Sequence, residues 1–80
     1  MIRMLGKKQS INFKNMVIKI VELIGISKKS FDDAFAEGVK RAVKTLRNVT
    51  GVDVVGQNAA VVNGKIAEYK VNLKVAFVVE

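Results

Sequence analysis

The stretch SFDDAFAEGVKRAVKTLRNVTG, residues 30–51, predicts an amphipathic helix on which the rest of the chain can pack. Its apolar residues recur at steps of three and four, which places them on one stripe of a 3.6-residue period. The stripe consists of Phe31, Ala34, Phe35, Val39, Ala42, Val43, Leu46 and Val49. Ser30 is a suitable N-cap with Asp33 at the capping-box spacing, and Gly51 follows the last apolar position as the expected stop. We therefore expect one long helix that fills this stretch.

Length and composition restrict the class of protein. The chain has 80 residues, half of them apolar, and contains no Cys, Pro or His. A domain of this size buries only about 60% of its unfolded surface, so association with further copies is expected. The missing residue types exclude disulfides, thiolate metal sites and histidine acid-base chemistry. No apolar run is long enough to span a bilayer, so we expect a soluble, cytoplasmic protein with no membrane partner.

The net charge of +7 is concentrated at the start of the chain. Residues 1–15 contain four basic and no acidic residues, whereas ten basic residues face seven acidic ones from residue 16 onward. We interpret residues 1–15 as a basic tail, left by an upstream start codon or by cloning, and residues 16–80 as a single domain. The alternative is that the tail is a functional arm.

The positive charge also raises the possibility of a protein that binds nucleic acid or an anionic surface. It would use the tail together with the basic residues near the helix end, Lys40, Arg41, Lys44 and Arg47. Basic residues in the last turns of a helix more often complement the helix dipole than follow a phosphate backbone. We therefore expect no nucleic-acid partner.

Three strands are predicted around the helix. Residues 16–25, MVIKIVELIG, are rich in β-branched residues and apolar on both faces, so one face should pack on the helix and the other on something outside the single chain. Asn63 and Gly64 predict a two-residue hairpin turn, and the strand after it alternates with Tyr69 on the helix-facing side. The order is β-α-β-β, an α+β fold in which a three-stranded antiparallel sheet wraps around one long helix.

The two-residue turn also predicts the register of the hairpin. The expected cross-strand pairs are Val52 with Val75, Asp53 with Lys74, Val54 with Leu73, Val55 with Asn72 and Gln57 with Lys70. Gly56 and Asn58 fall on the core face, where larger side chains are expected, so we expect either a bulge or a close backbone approach near them, with the register beyond that point less well defined. In the simple register, Gln57 and Lys70 lie side by side on the outer face.

The segments taken together resemble the dodecins. The resemblance rests on the order and spacing of VIKIVELIGIS, the capped helix, GVDVV, the turn VNGKI and EYKVNLKVAF, and it covers residues 16–80. It implies a small β-α-β-β subunit assembled with copies of itself as a hollow homododecamer. Dodecins are best known for binding flavins, such as riboflavin or FMN, in stacked pairs between subunits, where the flavin is stored and is not turned over.

The two family positions that carry most of the flavin contacts differ in this chain. The resemblance implies a Trp just after the helix that stacks on the isoalloxazine and a Gln on the last strand that bonds the ring edge, and these positions correspond to Gly51 and Lys70. Gly offers no stacking face, and Lys only donates hydrogen bonds. Gln57 is the candidate substitute for the amide, or else an interface residue bonded to Lys70 or to backbone. The expected flavin site, made by different subunits, comprises Gly51, Gln57 and Lys70.

The alternative is a dodecin-like shell that does not bind flavin and is either structural or holds ions, for example calcium, or other small ligands. Symmetry could bring the strand carboxylates together as oxygen ligands for a cation. The candidates are Glu22, Asp53 and Glu68, with ion pairs such as Asp53 with Lys74 as the competing interpretation.

Catalysis is not expected from this sequence. It contains no nucleophile-base pair and no glycine loop that would cradle phosphate. Ser27 and Ser30 are interpreted as turn and cap residues, so we predict no catalytic residue.

Overall fold

A computed structural model describes residues 16–79 of the chain. These residues form β1 (Val17–Ser27), α1 (Phe31–Thr45), β2 (Val49–Val62) and β3 (Lys65–Val79). The strands make one antiparallel sheet in the order β1-β3-β2, with α1 packed on one face. The predicted β-α-β-β topology is confirmed, whereas the predicted tail, residues 1–15, lies outside the described residues. No helix within residues 16–79 is long and apolar enough to cross a membrane.

A hydrogen-bond network joins the end of β1 to the first turn of α1. Ser30 is the N-cap, as predicted, and its hydroxyl accepts from the Asp33 N–H at 3.0 Å. The buried Ser27 hydroxyl donates to the Asp33 carboxylate at 2.6 Å and accepts from the Lys29 N–H at 2.9 Å. The cap predicted for Ser30 is confirmed, whereas Ser27, predicted to lie in the turn, is the last residue of β1.

The helix ends earlier than predicted. Leu46 is already extended, with φ −114° and ψ 146°, and its N–H donates to the Ala42 carbonyl at 2.8 Å. Asn48 then adopts the left-handed conformation, with φ 59°, which Asn tolerates better than most other residues with a side chain. The chain turns there and β2 begins at Val49. Gly51 therefore lies inside a strand, and the prediction that it stops the helix is wrong.

Small side chains on α1 face the sheet. Ala34, Gly38 and Ala42 form one row at a spacing of four and are the buried residues of the helix. Phe35 and Val43, which the sequence places on the same stripe, remain exposed at 37% and 56%. The small row lets the helix approach the central strand closely, and the side chains beneath it are the most deeply buried large ones: Val71, Leu73 and Val75.

Two glycines occupy the point where helix and sheet come closest. A Cβ atom built on Gly25 of β1 would overlap the carbonyl oxygen of Ala34 in α1. A Cβ atom on Gly38 of α1 would lie 2.6 Å from the Cδ1 atom of Leu73. A side chain at Gly25 would meet backbone and push α1 away from the sheet, whereas one at Gly38 would require Leu73 to shift.

The hairpin register agrees with the prediction from Gly51 to Val54 and again next to the turn, at Val61 and Val62. These residues pair as expected, including Asp53 with Lys74. An extra residue, Val55, then shifts the ladder, so that Gly56 pairs with Asn72, Gln57 with Val71 and Asn58 with Lys70. The predicted pairs of Val55 with Asn72 and of Gln57 with Lys70 are therefore wrong, and the anticipated irregularity near Gly56 is the cause.

A second irregularity, between Ala60 and Val61, offsets the first. On its far side Val62 pairs with Lys65 across the predicted turn, in which Asn63 and Gly64 have φ values of 52° and 77°. These positive values are typical of the favoured two-residue hairpin turns. A third register shift, between Val49 and Gly51, changes the pairing at the start of β2.

The tip of the hairpin extends beyond the rest of the sheet. The pairing of β1 with β3 stops at Ser27 and Tyr69, so residues 60–68 form a two-stranded arm that no third strand within residues 16–79 extends. Tyr69 packs edge to face on Phe31 at the base of the arm, with ring centroids 5.0 Å apart. More than half of the surface of Val61, Val62 and Ile66 is exposed on the arm. An isolated hairpin is only marginally stable, so the arm requires a neighbour.

The outer face of β1, which points away from α1, is also apolar and uncovered. Its exposed residues are Ile18, Ile20, Ile24 and Ile26, with exposures between 44% and 59%. Both faces of β1 are therefore apolar as predicted, and only one of them is covered by the part of the chain that the structure describes.

Candidate functional site

The candidate binding residues lie on both faces of the sheet. In an antiparallel sheet, directly paired residues point to the same side. Gln57 pairs with the buried Val71 and therefore faces the helix side, beyond the part of the sheet that α1 covers. The other candidates lie on the outer face: Glu22, Gly51, Asp53, Glu68 and Lys70.

Gly51 is an open position on the outer face of β2. It pairs with Ala76 and is exposed. No atom lies within 4 Å of a Cβ atom built on Gly51. The position at which the resemblance implies a stacking ring is therefore an empty surface with room for a larger side chain.

Lys70 lies in the middle of the outer face. It is half-buried between Ile26 of β1 and Asn58 of β2. Gly51 pairs with Ala76, which is six residues beyond Lys70 on β3. Gly51 and Lys70 are therefore roughly 20 Å apart at ~3.3 Å per residue. The structure does not bring Gly51, Gln57 and Lys70 together within one subunit.

The three candidate metal ligands are likewise dispersed. Glu22 and Asp53 lie in one row across the sheet with Lys74 between them. An ammonium group in this position attracts both carboxylates and opposes the binding of a cation. Glu68 pairs with Ala60 on the hairpin arm. Among residues 16–79 no group of three or more acidic side chains could hold a metal ion.

Asn72 is a polar residue of the outer face that the sequence analysis did not single out. Its side-chain oxygen is buried and has no hydrogen-bond partner. It lies on β3 between Lys70 and Lys74 and opposite Gly56, where a built Cβ atom meets nothing within 4 Å. A buried acceptor normally has a donor, so this surface calls for an N–H or O–H group from a ligand or from another subunit. The sequence offered no signal for it, because the predicted register pairs Asn72 with Val55 and only the bulge places Gly56 opposite.

Comparison with known proteins gives one consistent family. The family model described as Dodecin matches residues 17–80. A curated relative, the calcium dodecin of Mycobacterium tuberculosis, is 33% identical over 61 residues, which cover 76% of this chain and 86% of the relative.

Solved structures show the same similarity in three dimensions. The dodecin of Streptomyces coelicolor is 30% identical with a TM-score of 0.79, covering 84% of this chain and 96% of that one. The tt0972 protein of Thermus thermophilus is 33% identical with a TM-score of 0.75, covering 82% and 97% of the two chains. The calcium dodecin of Mycobacterium tuberculosis, whose structure is described as having a novel calcium-binding site, is 35% identical with a TM-score of 0.71, covering 80% and 91%.

Proposed function

Because the chain belongs to the dodecin family, we propose that it is a storage protein that binds a small ligand between subunits of a hollow assembly of twelve copies. Dodecins are small-ligand-binding proteins, and we propose no catalytic activity for this one. The observation that carries the proposal is the uncovered outer face of the sheet, where an apolar strip on β1 lies beside a polar centre on β3.

The apolar strip supports the assembly. Full burial of an Ile side chain contributes about 1.5–3 kcal/mol, so covering the exposed half of four such residues contributes several kcal/mol per subunit. That is comparable with the total stability of a small domain. The two-stranded arm has the same need for a neighbour, because its exposed valines and Ile66 have no third strand beside them.

The first candidate ligand is a flavin, riboflavin or FMN, held between subunits by contacts that include Gly51 and Lys70. The open surface at Gly51 leaves room for a ring but supplies no stacking partner, so we expect weaker binding than in a relative with Trp. The Lys70 ammonium can donate to a ring carbonyl or to a phosphate, which favours FMN over riboflavin. Gln57 faces away from Lys70 in its own subunit, so a contribution from Gln57 would come from a neighbouring copy.

The second candidate ligand is calcium, as in the relative named for it. Glu22 and Asp53 are exposed on the outer face, where carboxylates of several copies could supply the six to eight oxygens that Ca²⁺ prefers. Lys74, between them, opposes such a site, which ranks this ligand second. A shell with no ligand at all is the remaining alternative.

One purified sample tests the proposal. Size-exclusion chromatography with light scattering should give the mass of about twelve subunits, and a smaller mass that does not change with protein concentration contradicts the assembly. FMN and riboflavin are then titrated while flavin fluorescence is recorded. Saturable quenching, stronger for FMN, supports the flavin site, whereas no quenching together with a calorimetric signal for CaCl₂ supports the calcium site.

The variant Lys70→Gln tests whether Lys70 contacts the flavin. It restores an amide that can both donate and accept, so we expect the preference for FMN over riboflavin to shrink. The matched control is Lys65→Gln at the hairpin turn, which removes the same charge at the far end of the arm. An equal change of ligand preference in both variants would indicate a general charge effect, and would remove Lys70 from the site.

A further inference from the structure

A groove runs between α1 and the free edge of β1, where Ile24 and Ile26 of the outer face also reach its rim. Its volume is about 440 Å³, within the usual range for pockets that hold small organic ligands. One wall is formed by residues 23–26 of β1, and the other by the α1 turns that carry Lys40, Arg41 and Lys44. Gly25 and Gly38, at the close contact of strand and helix, also line it.

The groove is strongly basic. Lys40, Arg41 and Lys44 face one carboxylate, that of Glu37, so the lining has a net charge of two positive units. All four side chains are exposed and can reorient toward a ligand. An Arg guanidinium offers a planar pair of donors that fits phosphate, and Lys adds point charges.

The β1 wall adds backbone donors. Within residues 16–79, β1 is an edge strand that pairs only with β3. Every second residue of such a strand directs its N–H and C=O away from the sheet. Residues 23–26 therefore present backbone N–H groups at this edge, and the missing side chain of Gly25 leaves the backbone accessible.

We propose that this groove binds a small organic phosphate with two or more negative charges. The net charge of the lining matches such an anion, the volume suits a nucleotide-sized molecule, and the donors come from both walls. The basic residues also complement the helix dipole, but that role requires no groove. Arg47 lies near the same end of α1 but does not line the groove. Its substitution therefore distinguishes phosphate binding in the groove from a role in complementing the helix dipole.

Isothermal titration calorimetry of the assembled protein with inorganic pyrophosphate and with ADP tests the proposal. We expect saturable binding of at least one of these two compounds. Equal affinities would mean that the groove recognises phosphate alone. Tighter binding of ADP would mean that the groove also holds the nucleoside. In the combined variant Lys40→Gln, Arg41→Gln and Lys44→Gln, we expect Kd to rise at least about tenfold. The control Arg47→Gln should stay within about twofold of the wild type, since its charge lies outside the groove.

The variant Arg41→Lys adds an independent readout, because it keeps the charge and loses the bidentate fork. We expect an intermediate loss of affinity with the assembly unchanged in light scattering. Three results overturn the proposal: no saturable binding of either titrant at millimolar concentration, unchanged affinity in the combined variant, or an equal loss in Arg47→Gln.

Discussion

Replacing Gly51 with Trp places an indole on the outer face of β2, at the position where the resemblance implies a stacking ring. The substitution should be well tolerated, since a side chain at this position meets open space and the backbone φ is not in the positive range. Aromatic residues are also favoured over Gly in strands, by up to about 1 kcal/mol. The stability of the subunit should therefore not fall.

The expected gain in flavin affinity can be worked out from the surface that the indole would cover. A Trp side chain buries about 150–250 Å², and covering roughly half of it with the flavin ring contributes about 2.5 kcal/mol at ~25 cal/mol/Å². Stacking adds about 0.5–1.5 kcal/mol, and ordering the side chain costs about 1 kcal/mol. The net gain of about 2–3 kcal/mol lowers the Kd for FMN about 30- to 150-fold.

The assay uses the fact that the natural chain contains no Trp. In Gly51→Trp the single indole reports flavin binding by the loss of its own fluorescence, and flavin fluorescence gives the wild-type value. The matched control is Gly56→Trp, which introduces the same ring on the same strand and face, also in open space. A Kd that falls less than about threefold while the assembly stays intact would refute the reasoning, as would an equal gain in the control.

Three further predictions concern stability and assembly. Gly25→Ala should lower the free energy of unfolding by about 2–3 kcal/mol in urea at fixed protein concentration, since the new methyl group overlaps the α1 backbone, while Gly51→Ala should change it by less than about 0.5 kcal/mol. Equal effects of the two substitutions would contradict the close packing. Ser30→Ala should cost about 1 kcal/mol by the same measurement, because the N-cap hydrogen bond is lost, and an unchanged midpoint would mean that water replaces it fully. Ile24→Lys should abolish the twelve-subunit mass in light scattering while the circular dichroism spectrum is retained, and an intact assembly would remove this residue from the subunit interface.

The topology follows from local patterns, which is why the sequence predicts it. Apolar alternation in β3 and the Asn63-Gly64 turn each define their element within a few residues. The end of the helix could not be predicted from such a pattern, because the apolar period continues through Val49 although the left-handed conformation of Asn48 turns the chain before it. Helix propensity is a weak guide to the end of a helix when the backbone conformation of a single residue determines that end.

The candidate site was less predictable than the fold. The face of Gln57 depends on a bulge at Val55, which no alternation pattern encodes. The row of Ala34, Gly38 and Ala42 shows why Phe35 and Val43 are exposed, since a helix this close to the sheet leaves no space beneath its contact for larger side chains. The proposed ligand contacts join different copies, and the sequence of one chain specifies no geometry between copies.

The paired bulges of the hairpin also determine how this protein can be engineered. Between Val55 and Ala60 β2 is displaced by one residue relative to β3, whereas residues 51–54 and residues 61–62 keep the register that the turn sets. A designer who transplants ligand contacts by counting outward from the turn would direct every side chain of this segment toward the wrong face. Placing each contact according to its paired residue on β3 avoids the error.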